Sequence, residues 1–193
     1  MRRIVVGITG ASGTIYGVRL LEVLHEVADV ETHLVLSDAA PITLRQEMGL
    51  SPGDLQNLAD CRYRARDIAA PIASGSFPVH GMVVAPCSVK TLSGLAYSHA
   101  SNLLLRAGDV MLKERRPLVL MLRETPLHLG HLRAMAQVVE MGAIMVPPIP
   151  AFYHHPKTID DLVNHSIGKV LDVLGIEHDL FRRWQGLQCD YDD

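Results

Sequence analysis

The sequence predicts an α/β protein with a Rossmann-like, doubly wound parallel sheet of about five or six strands and helices on both faces. Five apolar runs recur along the chain with helical patterns between them, and this alternation is typical of a parallel sheet. The chain has 193 residues, which suits one domain with a full core and is too short for two. We therefore expect a single domain over residues 1–193. The runs lie at 4–8, 33–36, 82–85, 118–122 and 143–146.

The composition indicates an ordinary soluble protein. Charged residues make up 20% of the chain and hydrophobic residues 48%, and the net charge is −3. This balance gives no sign of a nucleic-acid partner. The apolar run near the N-terminus is too short for a signal peptide or a membrane span, and the three cysteines are an odd number at no metal spacing. We therefore expect no membrane association, no bound metal and a cytoplasmic location.

The first apolar run leads into a glycine-rich turn with the spacing G-x-x-G-x-x-G over residues 7–13, and a helical pattern follows at once. Free backbone N–H groups and the helix dipole meet at such a turn, which favours an anion, and Ser12 adds a hydroxyl donor. The spacing fits neither the dinucleotide motif nor the P-loop. The turn therefore predicts a phosphate-bearing ligand, with a plain strand–helix turn as the alternative.

Polar side chains follow the other apolar runs. Ser37 ends the second run, residues 88–91 follow the third, Arg123 and Glu124 follow the fourth, and Tyr153 follows the proline-rich segment after the fifth. Because ligands of open parallel sheets bind outside the carboxyl ends of the strands, we expect these groups to share one site. Hydroxyl groups and backbone at several strand ends suit a phosphorylated cofactor with a polar ring.

Cations on the later helices indicate a second phosphate. A helix predicted over 102–116 carries Arg106 and Lys113, and a last helix, capped by Thr158, carries Lys169. Together with Arg123 these cations exceed what one phosphomonoester needs.

A short-chain dehydrogenase is an alternative that the sequence excludes. Tyr153 and Lys157 have the catalytic spacing of that class, but those two residues must lie one turn apart on a helix, and Pro156 stands between them. Ser37 also takes the place of the acidic residue that closes the second strand in NAD-binding proteins.

Five segments resemble the UbiX-type flavin prenyltransferases, and the similarity extends from residue 4 to residue 184. The more distant cysteine decarboxylases of the same flavoprotein family carry Pro-Ala-Ser-Ala-Asn-Thr and Pro-x-Met-Asn-x-x-Met-Trp signatures, which this sequence lacks. The five segments are Thr-Gly-Ala-Ser-Gly-x-x-Tyr-Gly at 9–17, Pro-Cys-Ser-x-x-Thr-Leu-Ser at 86–93, Asp-Val-x-Leu-Lys-Glu-Arg-Arg-Pro-Leu-Val-Leu at 109–120, Arg-Glu-x-Pro at 123–126 and Pro-x-Phe-Tyr-His at 150–154.

The resemblance implies an enzyme that binds FMN and dimethylallyl monophosphate without a metal. It would join the prenyl group to N5 and C6 of reduced FMN and release phosphate, and a UbiD-type decarboxylase, as in ubiquinone synthesis, would receive the prenylated FMN. The family forms dodecamers with shared sites, so the 74–76 loop and the segment 176–193 are expected to reach neighbouring chains. An FMN carrier or storage protein, or a cysteine-decarboxylase-like flavoprotein, is the alternative.

The resemblance also assigns residues. Lys169 departs from the family, whose members carry arginine there, so a point charge replaces a planar fork. The residues expected to bind FMN are Gly10, Ala11, Ser12, Ser37, Ser88, Val89, Lys90, Thr91, Arg106 and Arg123. Those expected to hold the prenyl phosphate are Lys113, Arg123, Tyr153 and Lys169. Those expected to act at the reacting centre are Ser12, Glu47, Lys113, Glu124 and Trp184.

Overall fold

The computed structural model describes residues 1–186 and contains one six-stranded sheet in which every paired strand is parallel. The strand order is β3-β2-β1-β4-β5-β6, so the chain builds one half of the sheet outward from β1 and then crosses to build the other. The predicted fold class is therefore confirmed. The strands are β1 (Arg2–Ile8), β2 (Val30–Leu36), β3 (Cys61–Arg64), β4 (Gly81–Cys87), β5 (Leu118–Leu122) and β6 (Ile144–Met145).

Burial explains which strands the hydrophobic pattern could reveal. All seven residues of β4 and all five of β5 are buried, because helices cover both faces of the sheet, and each strand reads as an unbroken apolar run. Strand β3 has the sequence Cys-Arg-Tyr-Arg and alternates half-buried and exposed residues at one edge of the sheet. It carries no apolar run, so the sequence analysis did not assign it to a strand.

Within residues 1–186, six α-helices form two layers, one on each face. Helices α1, α2 and α6 share one hydrophobic core with the sheet, and helices α3, α4 and α5 share the other. The chain is therefore doubly wound, as the sequence predicts. The helices are α1 (Thr14–His25), α2 (Ala40–Met48), α3 (Val89–Ala96), α4 (Leu103–Lys113), α5 (Leu129–Glu140) and α6 (Ile159–Leu174).

Side-chain caps fix the starts of the later helices. Thr158 and Asp161 form the predicted reciprocal capping box at α6, and the Asn102 side chain caps α4. Helix α4 ends at Lys113, three residues before the predicted end at residue 116. Among the described residues, no helix is both long enough and apolar enough to cross a membrane.

Candidate active site at the carboxyl ends of the strands

The segments that follow the strands lie side by side at the carboxyl end of the sheet. The Ser37 N–H donates to the Ile8 carbonyl at 2.9 Å, which joins the end of β2 to the end of β1. The Arg123 N–H donates to the Cys87 carbonyl at 3.1 Å, which joins the end of β5 to the end of β4. The structure therefore brings the first four predicted strand ends together.

A carboxylate from the protein itself occupies the predicted anion site at the start of α1. Glu47, near the end of α2, accepts hydrogen bonds from the N–H groups of Gly13 and Thr14 at 2.9 Å each and from the Thr14 hydroxyl at 2.9 Å. Gly13 has a φ of 100°, a left-handed conformation that glycine adopts without strain. Glu47 therefore accepts the N–H groups of Gly13 and Thr14 in this structure, and phosphate binding at the turn stays a prediction.

The surroundings of Glu47 keep this carboxylate ionised. Burial alone would raise the pKa of Glu47, but hydrogen bonds from the Ser12 hydroxyl and from Thr14 and Gly13 outweigh it, and the pKa lies below its ordinary value. Ser12 itself is exposed in the turn. Glu47 thus holds the turn through its N–H groups and through the Ser12 hydroxyl.

The walls of the site near β1 and β2 suit the close approach of a polar ligand. A Cβ on Gly10 would lie 2.5 Å from the Ala39 Cβ, so only glycine allows the two loops to pack this closely. The Ser37 hydroxyl is buried and has no hydrogen-bond partner within residues 1–186. Because a buried hydroxyl without a partner is costly, Ser37 fits a site that a ligand's polar atom completes.

The third strand end forms a compact hydroxyl cluster at the start of α3. The Ser88 hydroxyl caps the helix by accepting from the Thr91 N–H at 3.3 Å, and the same hydroxyl donates to the Thr91 hydroxyl at 3.2 Å. Thr91 is buried and Lys90 is exposed. The N–H groups of Val89 and Lys90 belong to the first turn and have no acceptor inside the helix, so a ligand can use them.

Arg123 and Glu124 lie at the fourth strand end as separate groups. Arg123 is half-buried and Glu124 is exposed, and the described part of the chain contains no ion pair between them. The Glu124 carboxylate accepts from the Thr125 N–H at 3.0 Å. The two side chains are therefore free to contact ligands, and Glu124 does not serve to neutralise Arg123.

A second group of predicted residues lies on α6 and on the segments before and after it. The Tyr153 hydroxyl is 2.9 Å from His165 Nε2, and the Trp184 ring meets the Tyr153 ring edge to face at 5.9 Å. Lys169, one turn beyond His165, lies 3.4 Å from Asp172. Arg183 also binds Asp172 at 2.7 Å, which holds the segment carrying Trp184 against α6.

A third group lies on α4, away from the strand ends. Arg106 donates to the Ala73 carbonyl at 3.1 Å and to Asp109 at 2.8 Å. Lys113, the last residue of α4, pairs with Glu114 beside the 74–76 loop. Since β5 starts shortly afterwards, Lys113 lies near the amino end of the sheet. Arg123 follows β5, a strand about 17 Å long, at the other end of the sheet.

The structure adds a basic cleft that the sequence analysis missed. A cavity of about 600 Å³ opens beside Ser37, between the loops after β2 and the edge strand β3. Its lining includes Arg62, Arg64 and Arg66, which alternate along the chain at and just beyond β3. The pattern Cys-Arg-Tyr-Arg is the signal that could have identified this edge strand, because charged residues on an exposed edge prevent edge-to-edge pairing.

Comparisons with known proteins identify the class. Residues 1–171 match the family model described as Flavoprotein. The flavin prenyltransferase UbiX of Salmonella typhimurium is 60% identical over 188 residues, which cover 96% of this chain and 100% of that protein. The crystal structure of a dodecameric FMN-dependent UbiX-like decarboxylase from Escherichia coli aligns with a TM-score of 0.93 at 50% identity, over 95% of this chain and 100% of that one. AnUbiX (PadA1) in complex with FMN and dimethylallyl pyrophosphate aligns with a TM-score of 0.94 at 45% identity, over 97% and 99%.

The chain belongs to the flavoprotein family, and within it to the UbiX-type flavin prenyltransferases. Two findings agree on this narrower class. The sequence identity to a protein of that name extends over its whole length, and the fold superposes on two solved UbiX-like structures. The resemblance drawn from the five sequence segments is therefore confirmed.

Proposed function

We propose that this protein joins the dimethylallyl group of dimethylallyl monophosphate to N5 and C6 of reduced FMN, closes a fourth ring and releases phosphate. The observation that carries the proposal is the buried Ser37 hydroxyl at the strand ends, which has no hydrogen-bond partner within residues 1–186, in a chain 60% identical to a flavin prenyltransferase. The related protein AnUbiX (PadA1) forms a complex with FMN and dimethylallyl pyrophosphate, which supports a dimethylallyl donor.

The first part of the proposal concerns FMN. The Ser37 hydroxyl has no partner within the described chain, and the first-turn N–H groups of α3 have no acceptor in the helix, so these groups would bind the flavin. Gly10 and Ala11 would let the ring approach the backbone, and Arg123 would lie at its edge. FMN supplies the nucleophilic N5 and C6 atoms, and the protein supplies position and charge.

The second part concerns the prenyl phosphate. Breaking an allylic C–O bond transfers negative charge to the departing phosphate, and preorganised cations stabilise that charge without a metal. Arg123, Tyr153 and Lys169 would hold the phosphate, and Trp184, whose ring packs on Tyr153, would cover the prenyl chain. Lys169 carries a single ammonium group and lacks the planar guanidinium group of arginine. It would therefore contact the phosphate as a point charge.

The third part concerns the proton that leaves N5 when it is alkylated. Glu124 is exposed at the strand end and makes no ion pair with Arg123, so its carboxylate can accept this proton and pass it to the phosphate. Glu47 acts differently, because its oxygens already accept the N–H groups of the turn. Glu47 would orient Ser12 toward the reacting centre.

The fourth part concerns assembly. Lys113 and the 74–76 loop lie near the amino end of their own sheet, so they would complete the site of another copy. Residues 176–184 pack on α6 of their own chain, so the expected contact of segment 176–193 with a neighbouring subunit stays a prediction for residues 187–193, which lie outside the described residues. The dodecameric relative supports an assembly of many copies. We further propose a cytoplasmic location and a UbiD-type decarboxylase as recipient of the product.

Mass spectrometry of the flavin tests the proposal against the carrier alternative. The protein is incubated anaerobically with FMN, a reductant and dimethylallyl monophosphate, and the flavin is extracted. A flavin heavier than FMN by one five-carbon prenyl unit is expected, and omission of the prenyl phosphate is the control. Recovery of unmodified FMN alone, from protein that binds FMN stoichiometrically, would leave a carrier as the function.

A further inference from the structure

A cluster of three metal-binding side chains lies on β2 and β3, apart from the strand ends. Glu31, His33 and Cys61 each offer one ligand atom, and these atoms lie within 4.8 Å of one another. His33 and Cys61 are register partners on neighbouring parallel strands, so their side chains share a face, and Glu31 shares it as the residue two before His33. His33 precedes Ser37 by four residues, about 13 Å along the strand.

The geometry at His33 leaves one ring nitrogen available. The His33 side chain is 1% exposed, and its Nδ1 lies 3.0 Å from the Tyr63 hydroxyl. Its Nε2 has no hydrogen-bond partner within residues 1–186, although the Glu31 carboxylate is close. The 3.3 Å contact between Nε2 and Glu31 Oε1 is poorly aligned for a hydrogen bond. An Nδ1–H that donates to Tyr63 would leave the lone pair on Nε2, as metal-ligating histidines require.

The contact between His33 and Glu31 matches metal coordination. Two nitrogen or oxygen ligands about 2.0–2.1 Å from a tetrahedral zinc ion lie about 3.3–3.4 Å apart. The Nε2–Oε1 separation is 3.3 Å. Imidazole, thiolate and carboxylate are all ligands that zinc accepts, whereas magnesium and calcium prefer oxygen alone. The set therefore selects a borderline-soft divalent ion.

One neighbouring cation weakens the site without blocking it. Arg3 Nε donates to Glu31 Oε2 at 2.9 Å, and its guanidinium group lies over the Phe77 ring, 4.7 Å from the ring centroid. This pairing uses one oxygen of Glu31 and leaves Oε1 facing His33. The positive charge of Arg3 lowers the affinity for a cation, and the Cys61 thiolate offsets it.

We propose that Glu31, His33 and Cys61 form a binding site for Zn²⁺ or a similar divalent transition-metal ion, which joins the edge strand β3 to β2. Water fills the fourth position, and the Cys61 thiol releases its proton to solvent when the metal binds. The strand that gains most is β3, which has four residues and pairs on one side only. The site is separate from the proposed prenyl-transfer centre, which needs no metal.

Cobalt spectroscopy tests the site. The thiols of the FMN-loaded protein are reduced, bound metal is removed with EDTA, and the protein is desalted under argon and titrated with Co²⁺. We expect one tetrahedral Co²⁺ per chain, seen as visible bands at longer wavelength than oxidised flavin absorbs, and Zn²⁺ should displace it. Cys61→Ser should abolish these bands, and Glu31→Gln should weaken Co²⁺ binding at least about tenfold.

Matched controls make the test decisive. Cys61 is half-buried, so Cys61→Ser should fold, and unchanged FMN binding checks this. Cys189→Ser, which removes a thiol outside the described residues, should leave the bands unchanged. Failure of the native protein to give tetrahedral Co²⁺ bands would overturn the proposal. So would bands that survive in Cys61→Ser or disappear in Cys189→Ser.

Discussion

Glu47 gives the prediction whose magnitude the structure defines best. Its carboxylate accepts the N–H groups of Gly13 and Thr14 and the hydroxyls of Ser12 and Thr14, so Glu47→Ala removes these four hydrogen bonds and the charge at the start of α1. Hydrogen bonds to a charged group are worth about 1.5–3 kcal/mol when buried. Because Glu47 is exposed and water can replace the carboxylate in part, we expect a loss of about 1–2 kcal/mol in the free energy of unfolding.

Thermal denaturation measures this loss. For a domain of this size it corresponds to a fall in Tm of about 2–8 °C. Glu47→Gln keeps one acceptor oxygen, so its loss should be smaller than that of Glu47→Ala. Glu26→Gln is the matched control, because Glu26 is exposed and makes no side-chain hydrogen bond within residues 1–186, and its Tm should equal that of the parent.

The pH dependence separates charge from shape. The pKa of Glu47 is lowered in the folded protein, so its contribution is present above the unfolded value and is lost as the pH falls through the folded value. The difference in stability between the parent and Glu47→Gln should therefore be full at pH 7 and shrink below about pH 4. A difference that is absent at pH 7, or that persists unchanged at pH 3, would refute the account of Glu47.

Three other predictions address the ligands and the assembly. The protein should bind FMN and not FAD or NAD, and Ser37→Ala should weaken FMN binding about two- to tenfold, since one neutral hydrogen bond is lost; titration of the bound flavin measures this, and stoichiometric FAD in the purified protein would count against it. Prenylation should survive EDTA, because cations and not a metal hold the phosphate; loss of product that magnesium restores would contradict this. The variants Lys113→Ala and Arg123→Ala should each form no product alone. Oligomers that contain both variants should form product at up to about a quarter of their sites, because a site would take Arg123 from one copy and Lys113 from another. Mixed oligomers that stay inactive would place both residues in one chain.

The fold could be predicted because its interior strands are buried on both faces, which leaves long apolar runs between amphipathic helices. Strand β3 was missed because an exposed edge strand with two arginines has no such run. The register of β3 against β2 brings Cys61 beside His33. This pairing depends on tertiary structure and cannot be predicted from residue spacing in the sequence.

How well the sequence predicted the positions of the site residues differs from one strand end to the next. Ser37, Ser88 and Arg123 follow strands directly, so topology alone places them together. The Glu47 carboxylate reaches the turn across 33 or 34 residues, and only the packing of α2 on α1 shows that it accepts the N–H groups there. Lys113 ends a helix that runs back along the sheet, so it is separated from Arg123 although only ten positions divide them in the sequence.

The product formed by Glu124→Gln tests the central claim most directly. The substitution keeps the shape and the hydrogen bond to Thr125 but cannot exchange the proton at flavin N5. General acid–base catalysis contributes about 10²–10⁴-fold, so we expect FMN binding to be unchanged while the rate of prenylated flavin formation, followed by mass spectrometry, falls at least tenfold. Turnover equal to that of the parent would contradict the role of Glu124 and would assign the proton transfer to the phosphate itself.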